Sequence, residues 1–594
     1  MRKPRRLLFA LVVSTLLAPA ALAAQESAAE QLTALFAEDW EFTLRESPLF
    51  ATQVGDRRYN DRLPSVLPAD HDRRAEHDRA MLDQLRAIDR DALTPEDRVH
   101  YDIFERQKRN EIAEHGFGSH FLPITNRTGF HVSFPELPKD VPLETVGDYE
   151  NYISRLERFR EYAEQHVALM REGMARGYVL PRIVLEGWEG AVEPHVVEDA
   201  KESLLYDAFR EFPATIPEAE RARLTSAGEE AIRASVVPGY RAFLAFMREE
   251  YVPAARETVG AAALPDGAAF YAHRVQRFTT LDDKTPQVVH ETGLAEVERI
   301  RGEMEEAIRR SGFEGSFEAF VEFLRTDDRF YAETPEELME AVALVLKKMD
   351  GELPTLFGKL PRMSYGIRPV PDYIAPKTTT AYYQGPAGDG TRAGFYYVNT
   401  YNLRARPLYE IEALSLHEAV PGHHLQIALQ QELEGMPAFR RFSGFTAFVE
   451  GWALYAERLG LEAGFYQDPY RDFGRLTYEM WRATRLVVDT GMHALGWSRQ
   501  QAIDFMAENT ALSLHNIESE VDRYISWPGQ ALAYKTGELE IRRLRAEAER
   551  ALGDSFDVRA FHDVVLGSGA VPLTVLRANV ESWIASEKAG LATR

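Results

Sequence analysis

The segment ALSLHEAVPGHHLQIALQ, residues 413–430, places His417, Glu418, His423 and His424 within eight positions of a chain that has 16 histidines in all. Adjacent His and Glu begin the pattern H-E-x-x-H, in which two histidines one helical turn apart bind zinc and the glutamate takes a proton from water. Here the position four after His417 is Pro421, and the next histidines come only at 423 and 424. A hydrolytic zinc site needs three protein ligands, one open position and a carboxylate base. His417 and Glu418 fit the parts of ligand and base. At about 100° per residue, His424 returns to within roughly 20° of His417, whereas His423 points about 120° away. On an unbroken helix His424 would nevertheless lie about 10 Å further along the axis. Pro421 removes a helical hydrogen bond and Gly422 permits unusual backbone angles, so the helix can yield between the histidines. Helical phase favours His424 as the second ligand, with His423 as a neighbour or substrate contact. A complete break at Pro421–Gly422 makes His423 equally suitable. The expected third ligand is Glu450, at the start of the amphipathic stretch FTAFVEGWALYAERLGLEAG, beside Gly451, which lets another backbone approach. Glu457, two turns along the same face, is placed to orient a histidine by hydrogen bond.

The elements that must hold these groups are mostly helical. AAEQLTALFAEDWEFTLRESP and SRLERFREYAEQHVALMREGMARG carry apolar residues at helical spacing, the second stopping at Gly177. TPEELMEAVALVLKKMDGELP has a Thr-Pro-Glu start and a Gly–Pro end. One region departs from this pattern. TTTAYYQGPAGDGTRAGFYYVNTYN reads as a hairpin, with strands over 378–384 and 395–400 and a turn over 385–394. A strand near a metal helix can pair with an extended substrate main chain to main chain, or serve structure alone. Tyr397, on the second strand, is a candidate substrate contact. A composition change over 281–293 marks a junction between a region 24–285 and a region 286–594 that together form one catalytic unit. The expected fold class is mainly α, large and two-lobed, with a deep cleft and a small β hairpin or sheet near the metal helix.

HEAVPGHHLQ, EGWALYAE and RYISWPGQALAYKTG together resemble the bacterial domain-of-unknown-function 885 family. More distantly they are similar to the helical gluzincin zinc peptidases of the carboxypeptidase Taq, thimet oligopeptidase and angiotensin-converting enzyme type. The resemblance covers most of the chain and is most specific from Tyr382 to Gly537. It implies a helical molecule with zinc in a cleft, His417 and Glu418 as the first ligand and the base, and Glu450 as the downstream ligand. The second histidine does not carry over, because of the Pro–Gly insertion. Peptidases of this kind also need a donor to the developing oxyanion. Tyr534 and Tyr524 are the candidates. Gln530 shares a helical face with Tyr534, and Arg523 and Lys535 are candidates to hold a substrate carboxylate. In MWRATRLVVDTGMHALGWS, Arg485, Asp489 and His493 recur every four residues and read as a salt-bridge ladder, structural or lining the cleft.

Composition bounds the alternatives. The formal net charge of −24 argues against a nucleic-acid partner, which would require clustered Lys and Arg. The chain has no cysteine, so thiol catalysis and Cys-ligated zinc are excluded, and any metal must be held by His, Asp and Glu. MRKPRRLLFALVVSTLLAPAALAAQES has a basic start, a short apolar run and an A-x-A site at Ala21 and Ala23. It is expected to be a signal peptide over 1–23, giving a periplasmic or secreted protein without a cysteine-borne lipid anchor. No later stretch is apolar enough to span a bilayer. The function expected is an exported zinc metallopeptidase acting on peptides or unfolded segments. A peptide-binding protein that does not cut, and a zinc hydrolase of another amide or ester, are the alternatives. Oligomeric state is not legible.

Overall fold

Ser27 caps the first helix, α1 (Ala28–Glu46), through a reciprocal box in which its hydroxyl accepts from the Glu30 amide and the Glu30 carboxylate accepts from its own amide. This computed structural model describes residues 27–372, 375, 379–386 and 392–592. The expected signal peptide lies outside the described residues, as do residue 378 and residues 387–391 of the expected hairpin. The remaining helical expectations are met with small changes of boundary. α2 (Val146–Ala175) carries a Thr145–Asp148 capping box and ends just before Gly177, whose φ is +88°. α3 (Pro286–Ser311) and α4 (Pro335–Leu356) follow. The last of these runs through Gly351 and Pro354, where the sequence suggested a stop. Leu353 and Leu356 are buried beyond the expected end, and that packing outweighs the bond lost at proline.

Three strands form one sheet in the order β1 (Tyr365–Pro369), β3 (Gly394–Val398), β2 (Ala381–Gln384). The expected hairpin is present as the antiparallel pair β2–β3, and β1 adds in parallel on the other side of β3. The sequence of β1, YGIRP, contains a glycine and a proline, which an edge strand tolerates and a strand search passes over.

After the sheet come α5 (Ile411–Glu418), α6 (His423–Gln431), α7 (Thr446–Leu459), α8 (Pro469–Ala494), α9 (Leu514–Ser526) and α10 (Ala533–Leu552). The regions on either side of residue 285 share cores. Leu32, Leu85 and Phe104 pack in one cluster with Leu346, Leu416, Phe448 and Leu544. Tyr152, Phe159 and Phe243 pack in a second with Val488, Met492 and Val521. α8 runs through the middle, packed lengthwise against α3, and contributes Phe473, Leu476 and Met480 to a third cluster. It is buried nearly all round, yet it carries Asp472, Arg475, Glu479, Arg482, Arg485 and Asp489 below the surface. Charges so placed require partners, and those partners include the residues singled out in the sequence.

Candidate metal centre

α5 ends at Glu418, and Ala419 and Gly422 then leave helical geometry with ψ of −102° and −125° before α6 begins at His423. The helix is therefore fully broken at Val420–Gly422. A Cβ on Gly422 would lie 1.9 Å from the His417 carbonyl oxygen and 2.5 Å from that of Leu416. Only glycine allows the chain to fold back this tightly on the end of α5. The Pro421 carbonyl in turn accepts a hydrogen bond from the buried Trp452 indole at 2.9 Å, which ties the break to α7.

The fold-back decides which histidine joins His417. The His417 and His423 rings stand nearly perpendicular with centroids 4.8 Å apart. Glu450 Oε2 lies 3.5 Å from His417 Nε2 and 3.7 Å from His423 Nε2. These three side chains offer ligand atoms within 4.8 Å of one another. His424 corrects the expectation from helical phase. Its ring faces the sheet, with Nε2 3.1 Å from the Met363 carbonyl and Nδ1 2.8 Å from the Tyr383 hydroxyl. Phase failed because it assumed a continuous helix across Pro421–Gly422. His424 instead fastens α6 to β2 and to the chain just before β1.

Glu450 reaches the cluster because α7 and α10 pack with almost no side chain between them. A Cβ on Gly451 would lie 2.5 Å from Gly537 Cα, and one on Gly537 would lie 1.8 Å from the Ala447 carbonyl oxygen. The close approach expected at Gly451 thus brings Tyr534 on α10 near Glu450. Glu457, on the same face of α7, accepts from His417 Nδ1 at 2.8 Å, so Nε2 is the nitrogen left to face the cluster. Arg482, which sequence reading missed, lies 3.4 Å from the same Glu457 oxygen. The signal for it was available, since it lies three residues before Arg485 on a stripe of charges along α8.

Electrostatics mark the cluster as a place for a cation. Burial alone would lower His417, but Glu450 and Glu457 hold it at about 9. Burial alone would raise Glu450, but His417 and His423 hold it at about 2. His423 is pushed down to about 4 by burial, which keeps its ring neutral and able to ligate. Glu418 is pushed up to about 7, chiefly by burial and by Glu450, against the pull of His417 and Arg482. The geometry also fits a metal. Zinc with bonds of about 2.0–2.1 Å in a tetrahedral site sets its ligand atoms roughly 3.3 Å apart, and two of the separations here are 3.5 and 3.7 Å. Solvent reaches the cluster, because the Glu450 side chain keeps 21% of its exposure and that of His423 12%.

The other expected site residues divide. Tyr534 is partly exposed, lies close enough to Glu450 for that carboxylate to raise its phenol after burial, and has Gln530 within hydrogen-bonding reach. Arg523 donates to Gln530 Oε1 at 2.6 Å and keeps 14% side-chain exposure. Tyr524 is a correction: it is 1% exposed and its hydroxyl is occupied by Glu520, Arg485 and Trp481. Lys535 is another. It points away from Tyr534 into a sealed ion cluster, 2.8 Å from Glu479, 2.9 Å from Glu538 and 3.1 Å from Glu296. Tyr397 stacks on Tyr382 and alternates with Tyr396, the residue that β3 turns toward Glu418 and the core. The pleat therefore aims Tyr397 at the opposite face of the sheet. The Arg485–Asp489–His493 ladder is not formed. Arg485 pairs with Glu520, Asp489 accepts from Tyr271 and the Gly529 amide, and His493 bridges the Ala261 amide and the Tyr524 carbonyl.

The helical architecture agrees with what the chain is similar to. Residues 48–580 match the family described as "Bacterial protein of unknown function (DUF885)", and the chain belongs to that family. The crystal structure of a protein described as a "putative lipoprotein" from Colwellia psychrerythraea shares 28% identity with a TM-score of 0.88, over 94% of this chain and 100% of that one. A second, described as a "putative lipoprotein of unknown function" from Shewanella oneidensis, shares 18% identity with a TM-score of 0.72, over 93% of this chain and 99% of that one, and is evidence of fold alone. No match was found among curated proteins.

Proposed function

We propose that this protein is an extracytoplasmic zinc metallopeptidase. The observation that carries the reading is the convergence of His417, His423 and Glu450 beside Glu418, whose side chain makes no hydrogen bond or ion pair among the described residues. These three side chains would hold the zinc, which when bound supplies a Lewis acid for water and for the scissile carbonyl. Glu418 takes the proton of the attacking water and passes it to the leaving amine. Tyr534, supported by Gln530, donates to the oxyanion of the tetrahedral intermediate. Glu457 fixes the tautomer and the plane of His417, and Arg482 steadies Glu457. β2, last in the strand order of the sheet and joined to α6 through Tyr383 and His424, is the strand beside which an extended peptide would lie. The location rests on the basic, then apolar, then A-x-A N-terminal sequence. The description of the structural relatives as lipoproteins points the same way. Among the described residues no helix is long and apolar enough to cross a membrane.

The test is Glu418→Gln. Zinc content should be unchanged, while peptide hydrolysis falls on the order of 10³-fold, within the range for a lost general base. Full activity in that variant would sink the mechanism.

A further inference from the structure

Beyond the far end of α6, about 12 Å of helix from His423, the chain closes around a cavity of about 370 Å³. Its walls come from the start of the helix Pro95–Gly116, from the turn after α6, and from the turn that enters the last helix, Leu573–Ala592. Arg440 and His100 form its floor and are 1% and 7% exposed. Arg440 makes no ion pair among the described residues. Its Nη1 donates to His100 Nδ1 at 3.1 Å, its Nη2 donates to the Ser568 and Ala570 carbonyls at 2.6 and 3.4 Å, and its Nε has no partner. Burial lowers this guanidinium to about 10, with no carboxylate opposing the fall. A buried cation met only by neutral acceptors is costly until an anion reaches it.

The surroundings say which anion. His100 is kept neutral by burial and by Arg440. Because its Nδ1 accepts, its proton sits on Nε2, a second donor without a partner among the described residues. The Asn579 amide and the Ser568 hydroxyl, 3.3 Å apart, line the same cavity. The mouth reverses the sign. Glu96 and Glu434 line it, are exposed, and make no ion pair among the described residues. Val99, Leu433 and Met436 make much of the remaining wall apolar. A floor of donors, an acidic mouth and apolar walls complement a molecule with a carboxylate at one end, an ammonium at the other and aliphatic side chains. A volume at the lower end of small-molecule sites limits the occupant to about two residues.

We propose that this cavity binds a short apolar peptide in its zwitterionic form, with the carboxylate on Arg440 and His100 and the ammonium between Glu96 and Glu434. The site is separate from the metal centre and does not depend on the peptidase reading. A hydrolase would supply such fragments as products, and a binding protein would collect them.

The experiment titrates zinc-loaded Glu418→Gln protein, which should not consume the ligand, and reads binding by calorimetry. The probes are Leu-Leu, its N-acetyl form, its C-terminal amide and inorganic phosphate. Leu-Leu should bind roughly tenfold more tightly than either blocked form, the cost of one charged contact, and more tightly than phosphate. The double variant Glu96→Gln, Glu434→Gln alters only exposed side chains. It should shrink the advantage over the N-acetyl form to within about twofold and keep the advantage over the amide. Arg440→Met should do the reverse. Its fold is checked by circular dichroism, and the exposed double variant decides the matter if it does not fold. A dipeptide held at the metal centre instead would keep both preferences in the double variant, and that result overturns the proposal. Equal binding of the three peptides overturns it too. So does phosphate binding as tight as that of Leu-Leu, which would make the cavity a site for small anions only. Peptide hydrolysis by the parent is assayed separately, and its presence or absence moves none of these outcomes.

Discussion

Two buried clusters of charge lie along α8, and they are built to opposite ends. Around Lys535, which is fully buried, the cations and the carboxylates interlock: Lys535 meets Glu479, Glu296 and Glu538, and Arg299, Arg475 and Arg542 meet the same acids from outside. Around His417 the carboxylates of Glu418, Glu450 and Glu457 face one arginine, Arg482, and two imidazoles. The first cluster is closed by the protein itself. In the second the carboxylates outnumber the cations, and Glu450 and Glu457 raise His417 to about 9 against the effect of burial. In the sequence both are acids and bases at helical spacing. What separates the two in the structure is whether the partners are complete.

The sharpest way to break this contrast is to remove one ligand from the open cluster. His423→Ala should lower zinc affinity by more than the roughly 100-fold that losing an outer partner costs. His424→Ala should leave zinc content near that of the parent, because its ring serves Met363 and Tyr383. Metal analysis after dialysis reads both. A reversed result would return the second ligand to His424 and undo the geometry.

Next comes the closed cluster. Lys535→Met leaves Glu479, Glu296 and Glu538 without the ammonium they share, and should cost about 3–5 kcal/mol of stability in urea unfolding. Zinc content in the folded fraction should be unchanged. A cost below about 1 kcal/mol would mean that the surrounding arginines suffice, and the contrast between the clusters would weaken.

These outcomes also measure what the sequence could convey. The helical class and the β2–β3 hairpin were legible, because spacing and turn residues are local signals. That His417 meets Glu450 and Glu457 was legible from an adjacent His–Glu pair and from two acids on one face of α7, each on an intact helix. His423 against His424 was not, because the answer depends on how far Gly422 folds back onto the His417 carbonyl. Lys535 and Tyr524 were misplaced for a related reason. Both flank the W-P-G turn and Tyr534, but one residue along a helix turns a side chain by about 100°, and in α10 that step carries Lys535 from the metal side into the core. Arg482 lies on the charge stripe of α8, but its importance comes from Glu457, a residue on another helix, and the stripe alone does not say which of its charges matters.

A smaller effect sharpens the open cluster from outside. Glu457→Gln keeps the shape but removes the charge that accepts from His417 Nδ1 and faces Arg482. Zinc affinity should fall about 10–100-fold, with the metal still bound at saturating zinc. An unchanged affinity in a zinc competition assay would show that the His417 tautomer is set by something other than Glu457.

The smallest effect concerns the Arg485–Glu520 group, which is intermediate between the two clusters. Burial alone would raise Glu520, but Arg523 and Arg485 hold it at about 2, below the ordinary glutamate value of 4.5. The unfolded chain therefore binds a proton before the folded one does, and stability must fall as pH falls. The contribution of Glu520 is fully present above about pH 4.5 and is lost on the way down to about pH 2. Between pH 4.5 and 3.5 the loss is about 1 kcal/mol for a single group of this kind. Other acids, Glu114 and Glu450 among them, add their own slopes, so the measurement is a difference between proteins. Urea unfolding of the parent should lose about 1 kcal/mol more over that interval than unfolding of Glu520→Gln. Equal losses would mean that Glu520 is not held down by its arginines.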